Sequence, residues 1–83
     1  MATYVRVTGD DGEIIELPTE FDGSMLLSTL QAQYPIACGL KYLNMETMSW
    51  RGVRISEGVL SPPIEGWGDV AYVVVNKSGE YKK

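Results

Sequence analysis

The stretch Ser49-Trp50-Arg51-Gly52-Val53-Arg54 gathers a tryptophan and two arginines around one glycine, in a chain of formal net charge −4. Arginine carries a rigid fork of donors that fits a carboxylate or a phosphate, so these residues read as a contact for an anion. Carboxylates are concentrated elsewhere. From Asp10 to Asp22 there are six acids (Asp10, Asp11, Glu13, Glu16, Glu20, Asp22) and no basic residue, whereas Lys41 to Arg54 holds three basic residues against the single acid Glu46. Two solvated faces would give this pattern. So would a contact in which the acidic segment of one copy meets the arginines of the next. That contact uses two different surfaces, is therefore heterologous, and need not close on itself.

Phosphate is the rival anion. A net charge of −4 without a basic stripe argues against strong binding to a nucleic-acid backbone, which depends on clustered Lys and Arg. Trp50 and Trp67 could stack on bases, although a tryptophan in a domain this small serves more often in a core or an interface.

Other chemistry is narrowed by what is missing. The chain has no histidine, which removes His-containing metal sites and Ser-His or Cys-His nucleophile pairs. The GDDG segment lacks the spacing and the lysine of a P-loop. Glu13 and Glu16 could in principle form an acid–base pair, but neighbouring carboxylates in an acidic chain usually form a solvated face. The expectation is a protein that is not an enzyme and takes no cofactor, metal or small-molecule substrate.

Eighty-three residues, 45% hydrophobic and 22% charged, make one small globular domain. The longest apolar run, VAYVVV, has the length of a strand and falls far short of the ~18 residues of a membrane span. The N-terminus has no basic region followed by an apolar one and so does not read as a secretory signal. The single cysteine, Cys38, cannot form an internal disulfide, which favours a reducing compartment.

The elements that must hold these residues follow from periodicity. TYVRVT alternates, with Val5 and Val7 on one side; GDDG turns; and EIIELP alternates again, with Ile15 and Leu17 inward, until Pro18 ends it. In FDGSMLLSTLQAQYP the period changes. Leu27, Leu30 and Tyr34 fall at helical spacing, which predicts a helix of about three turns with Ser24 or Asp22 as its cap and Pro35 at its end. Short strand-like pieces follow (GLKYL, MSW, VRIS, GVL). The last element, Asp69 to Asn76, is almost wholly apolar, as expected of a strand covered on both sides. Arg51 and Arg54 are three residues apart and would point to opposite faces of a straight strand, so a common face requires a bend or bulge at Gly52. The predicted core is Val5, Val7, Ile15, Leu17, Leu30, Val73 and Val75, with Trp67 at least partly buried. One helix across a mixed, curved sheet of short strands is an α+β fold of ubiquitin-like β-grasp type.

Read together, LLSTLQAQYPIACGLKY, RGVRISEGVL and GWGDVAYVVVN resemble the N-terminal domain of the TAR DNA-binding protein family, nuclear RNA-processing factors with RNA-recognition motifs downstream. The resemblance runs from about Tyr4 to Asn76. It implies a DIX-like, ubiquitin-like fold in residues 1–76 that assembles head to tail with itself, followed at 77–83 by the start of a linker. One side of the contact would be Glu13, Glu16 and Glu20, and the other Gln33, Arg51 and Arg54. Leu26, Leu27 and Val53 would give apolar support, joined by Trp50 where the family has methionine. Thr47 stands where the family has a phosphorylatable serine and is the candidate phospho-switch. The resemblance also implies a nuclear protein with some cytoplasmic presence. Lys82 and Lys83 would open its basic import signal, and RNA would be bound through the downstream domains. The competing function is a monomeric domain that binds single-stranded nucleic acid directly.

Overall fold

In the computed structural model, which describes residues 3–77, β1 (Tyr4–Thr8) and β2 (Ile14–Pro18) form an antiparallel hairpin. Val5, Val7 and Leu17 are buried, Ile15 packs against them, and Tyr4, Arg6, Ile14 and Glu16 face outward. This alternation is that of strands with one face on a core. At the reversal the Gly12 N–H donates to the Gly9 carbonyl at 3.1 Å, and Gly12 takes a φ of 77°, a region glycine enters without the penalty of a Cβ.

The helix is shorter than the periodicity predicts. α1 (Leu27–Gln33) has seven residues, and neither Ser24 nor Asp22 caps it. Asp22 Oδ1 instead accepts the Ser24 N–H at 2.9 Å and the Ser24 hydroxyl at 2.7 Å. The hydroxyl bond above all, then the amide bond, holds the Asp22 carboxyl below its ordinary pKa. The preceding residues are claimed by tertiary pairing. Met25 is fully buried opposite Leu60, so Met25–Leu26 form the short strand β3, and the helix begins only where the Leu27 N–H donates to the Gly58 carbonyl at 2.8 Å. The inward face is the expected one: Leu30 is buried, with Leu27 and Tyr34 packed beside the core.

After α1 come β4 (Ala37–Asn44), β5 (Ser49–Gly52), β6 (Arg54–Ser56), β7 (Val59–Ser61) and β8 (Tyr72–Asn76). A five-stranded sheet has the order β2-β1-β8-β4-β5, and a three-stranded one the order β3-β7-β6. β8 lies parallel to β1 and antiparallel to β4, so the last strand enters the centre of the larger sheet. The result is an α+β β-grasp fold, one short helix packed against mixed sheets of short strands.

Two members of the predicted core lie elsewhere. Val73 and Val75 are only half-buried; Tyr72, fully buried, and Val74 are the β8 side chains that join the core. The β8 register decides this. Val7 pairs with Tyr72 and Leu40 with Val74, which fixes those side chains on the core face and leaves Val73 and Val75 on the other. Trp67 is buried, as expected, and donates its indole N–H to the Gly23 carbonyl at 2.7 Å. Residues 78–83, including Lys82, Lys83 and most of the expected linker, lie outside the described residues.

Candidate self-association surfaces

The acidic residues cluster around one edge of the larger sheet. Glu16 lies on β2, which is the edge strand, with Glu13 just before it and Glu20 in the loop after it, and all three are exposed. The Glu13 N–H donates to Asp11 Oδ1 at 3.0 Å, and the Glu20 N–H to the Ser24 carbonyl at 2.7 Å, so backbone bonds fix both positions while the carboxylates stay in solvent. Glu16 stands opposite Arg6 in the β1–β2 register.

The two arginines are divided between the sheets. Arg51 lies on β5, the strand at the far side of the sheet from β2. The chain then leaves this sheet: Val53 packs against the core, its N–H donates to the Leu40 carbonyl at 2.9 Å, and Arg54 opens β6 in the smaller sheet. The interruption falls at Val53, one residue after the Gly52 where a bend was expected, and both arginine side chains are exposed. Arg51 shares a face with its cross-strand partner Tyr42 and lines an open cleft of about 450 Å³ with Tyr42, Trp67, Glu46 and Glu65. Sequence reasoning missed Glu65 and Tyr42 here, because no spacing relates them to Arg51.

Glu16 on one edge strand and Arg51 on the other make the two edges of this sheet unlike, the arrangement that a contact between two different surfaces would use. A sequence model of the TAR DNA-binding protein 43 N-terminal domain matches residues 4–76. This chain belongs to that family. It is also 40% identical over 75 residues to "Tar DNA-binding protein homolog 1" of Caenorhabditis elegans, a match that covers 87% of this chain and 18% of that protein. The chain therefore spans less than a fifth of its curated relative's length.

Within this TAR DNA-binding protein N-terminal domain, the remaining candidate residues lie in four places. Thr47 is exposed in the β4–β5 turn, on the hairpin that carries Arg51, and its carbonyl accepts the Ser49 hydroxyl at 3.4 Å. Trp50 is exposed but faces the other way from Arg51: it pairs with Leu43, and Lys41 Nζ stands 4.9 Å from its ring centroid. Leu26 and Leu27 are half-buried where β3 meets α1. Gln33, expected beside the arginines, lines a second cleft with Asp10, Asp11 and Tyr34, at the β1–β2 turn. In that cleft burial, and then the charges of Asp11 and Glu13, push the Tyr34 hydroxyl pKa up.

Proposed function

We propose that this domain is the head-to-tail homo-oligomerisation module of a nuclear RNA-binding, splicing-regulatory protein. The observation that supports the reading is the sheet order β2-β1-β8-β4-β5, with Glu13, Glu16 and Glu20 around the first strand and Arg51 on the last. Residues from different parts of the chain thus form two unlike surfaces on opposite edges of one rigid element. When the Glu edge of one copy meets the Arg edge of the next, each added copy presents a fresh edge of each kind, and growth stays open. Trp50, Val53, Leu26 and Leu27 give apolar support. Charge complementarity sets register and encounter rate, and added salt weakens the contact. The downstream domains of such a protein bind RNA, and linking them through this contact raises their avidity without new contacts to the nucleic acid.

Charge reversal tests the pairing. Because Glu16 faces Arg6 within the same hairpin, reversal is cleaner at its neighbours: Glu13→Arg with Glu20→Arg in one variant, Arg51→Glu with Arg54→Glu in another. In sedimentation velocity each variant alone should stay monomeric. Mixed, they retain one wild-type contact, so growth should stop at the heterodimer. Growth beyond dimers, or assembly of either variant alone, overturns the charge pairing. A constant wild-type monomer that binds single-stranded oligonucleotides would establish the competing function instead.

A further inference from the structure

The outer face of the five-stranded sheet has no helix on it among the described residues, yet its central strand is apolar there. Val73 and Val75 form a half-exposed column on β8, and Leu43 and Trp50 extend it toward β5. Ile14, 44% exposed, extends it toward β2. A strand apolar on both faces is the mark of one covered on both.

Charge on this face differs from that of the chain. The registers put Arg6, Lys41 and Glu16 outward, two cations against one carboxylate, in a protein of net charge −4. Lys41 stands beside Val73 on one side of β8, and on the other side Arg6 stands one pair before Val73, level with Ala71 and opposite Glu16. Arg6 is on β1 and Lys41 on β4, the two strands that flank β8. Both are held in place: Arg6 Nη1 donates to the Asp69 carbonyl at 3.0 Å just before β8, and Lys41 lies over the Trp50 ring. Adjacent strands are about 4.8 Å apart, so the cation-bearing strands are separated by about 10 Å. That is the width of an α-helix with its side chains.

We propose that this face docks an amphipathic helix of a partner protein, apolar along the ridge that lies on Val73 and Val75 and carrying carboxylates on both flanks, which meet Arg6 and Lys41. The helix of this chain does not fit the description. α1 reads LSTLQAQ, contains no acid, and has its apolar side on the core, so among the described residues a second copy offers no such element. The face adjoins the edge contact proposed above at Trp50 but is centred on Val73 and Val75 of the central strand.

The test uses two designed peptides of about 18 residues, long enough to hold a helix. Both carry leucines at i, i+3, i+4 and i+7 spacing, with glutamates on both flanks in one and lysines in the other. Titrated into the ¹⁵N-labelled chain, the glutamate peptide should shift the amide signals of Arg6, Lys41, Leu43, Val73 and Val75 and bind at least about tenfold more tightly than the lysine peptide, a difference of about 1.4 kcal/mol. Lys41→Glu, a surface change that leaves the core intact, should cancel or reverse that preference. Val75→Asp should abolish binding while self-association persists. Equal binding of the two peptides, shifts confined to the Arg51 cleft, or no binding at millimolar peptide overturns the proposal. So does loss of self-association in a folded Val75→Asp chain, which would assign the face to a second copy. Displacement of the glutamate peptide by oligouridylate at these same residues would assign it to nucleic acid and equally sink the idea.

Discussion

Tyr72 and Trp67 are joined twice: their rings meet edge to face with centroids 5.3 Å apart, and the Tyr72 hydroxyl donates to the Trp67 carbonyl at 2.6 Å. The pair ties the loop before β8 to the centre of the sheet, and the Tyr42 ring packs against that of Tyr72 at a tilt of 57° with centroids 5.2 Å apart. Tyr72→Phe keeps the stacking and removes the bond, and it should cost about 1 kcal/mol in urea denaturation. Burial above all, then the Tyr42 and Glu65 charges, push the Tyr72 pKa up to about 12 from 10.0. The folded state therefore holds this proton more tightly than the unfolded chain does. Stability from this source is complete below pH 10 and is lost as the pH rises toward 12. Tyr72→Phe should flatten the loss of stability over that window; an unchanged slope would assign it to other groups.

Tyr34 should behave in the opposite way. Its hydroxyl is buried without a hydrogen-bond partner among the described residues, so it contributes desolvation cost and no bond. Tyr34→Phe should leave the melting midpoint unchanged or raise stability on the order of 1 kcal/mol. The ring itself is needed, because it covers Gly9: a Cβ there would come within 2.7 Å of Tyr34 Cε1. Gly9→Ala should cost roughly 1–3 kcal/mol through overpacking. A drop in the midpoint on Tyr34→Phe would mean that the hydroxyl has a partner.

Glu57 occupies the left-handed region at φ 51°, in the two-residue turn where Ser56 pairs with Val59 and Gly58 has φ 78°. Turns of this hand favour asparagine followed by glycine. Glu57→Asn should raise the melting midpoint by the equivalent of about 0.5 kcal/mol. Thermal denaturation at neutral pH reads this directly, and a lower midpoint would mean that Glu57 makes a compensating contact.

Thr47 tests the proposed regulation. A phosphate would add about −1.5 to −2 charges to the hairpin that carries Arg51, beside the next copy's glutamates. Thr47→Glu should therefore weaken self-association in sedimentation, more at low salt than at high, with the fold and its melting midpoint unchanged because Thr47 is exposed. Equal association of the folded variant and the wild type would remove Thr47 from the contact.

Much of this molecule was legible in one dimension. Alternation over Val5–Val7 and Ile15–Leu17 fixed the first hairpin and its inward face, because a period of two admits only one way to bury those side chains. The spacing of Leu27, Leu30 and Tyr34 likewise picked out the buried side of the helix, and the segregation of acids from arginines was visible as composition. Family motifs read along the chain carried the kinship that the family match then showed. The helix start was not legible, since Met25 and Leu26 suit a helix locally and were drawn into a strand only by Leu60 and Val59 across the fold. The inward parity of β8 was not legible either. A run without alternation carries no parity of its own, and only the parallel pairing of Tyr72 with Val7 turned Val73 and Val75 outward. Above all, the sequence contained the acidic and basic segments but not the distance between them. It took the insertion of β8 between β1 and β4 to set β2 and β5 on opposite edges of one sheet, because strand order is a long-range property that no local pattern encodes.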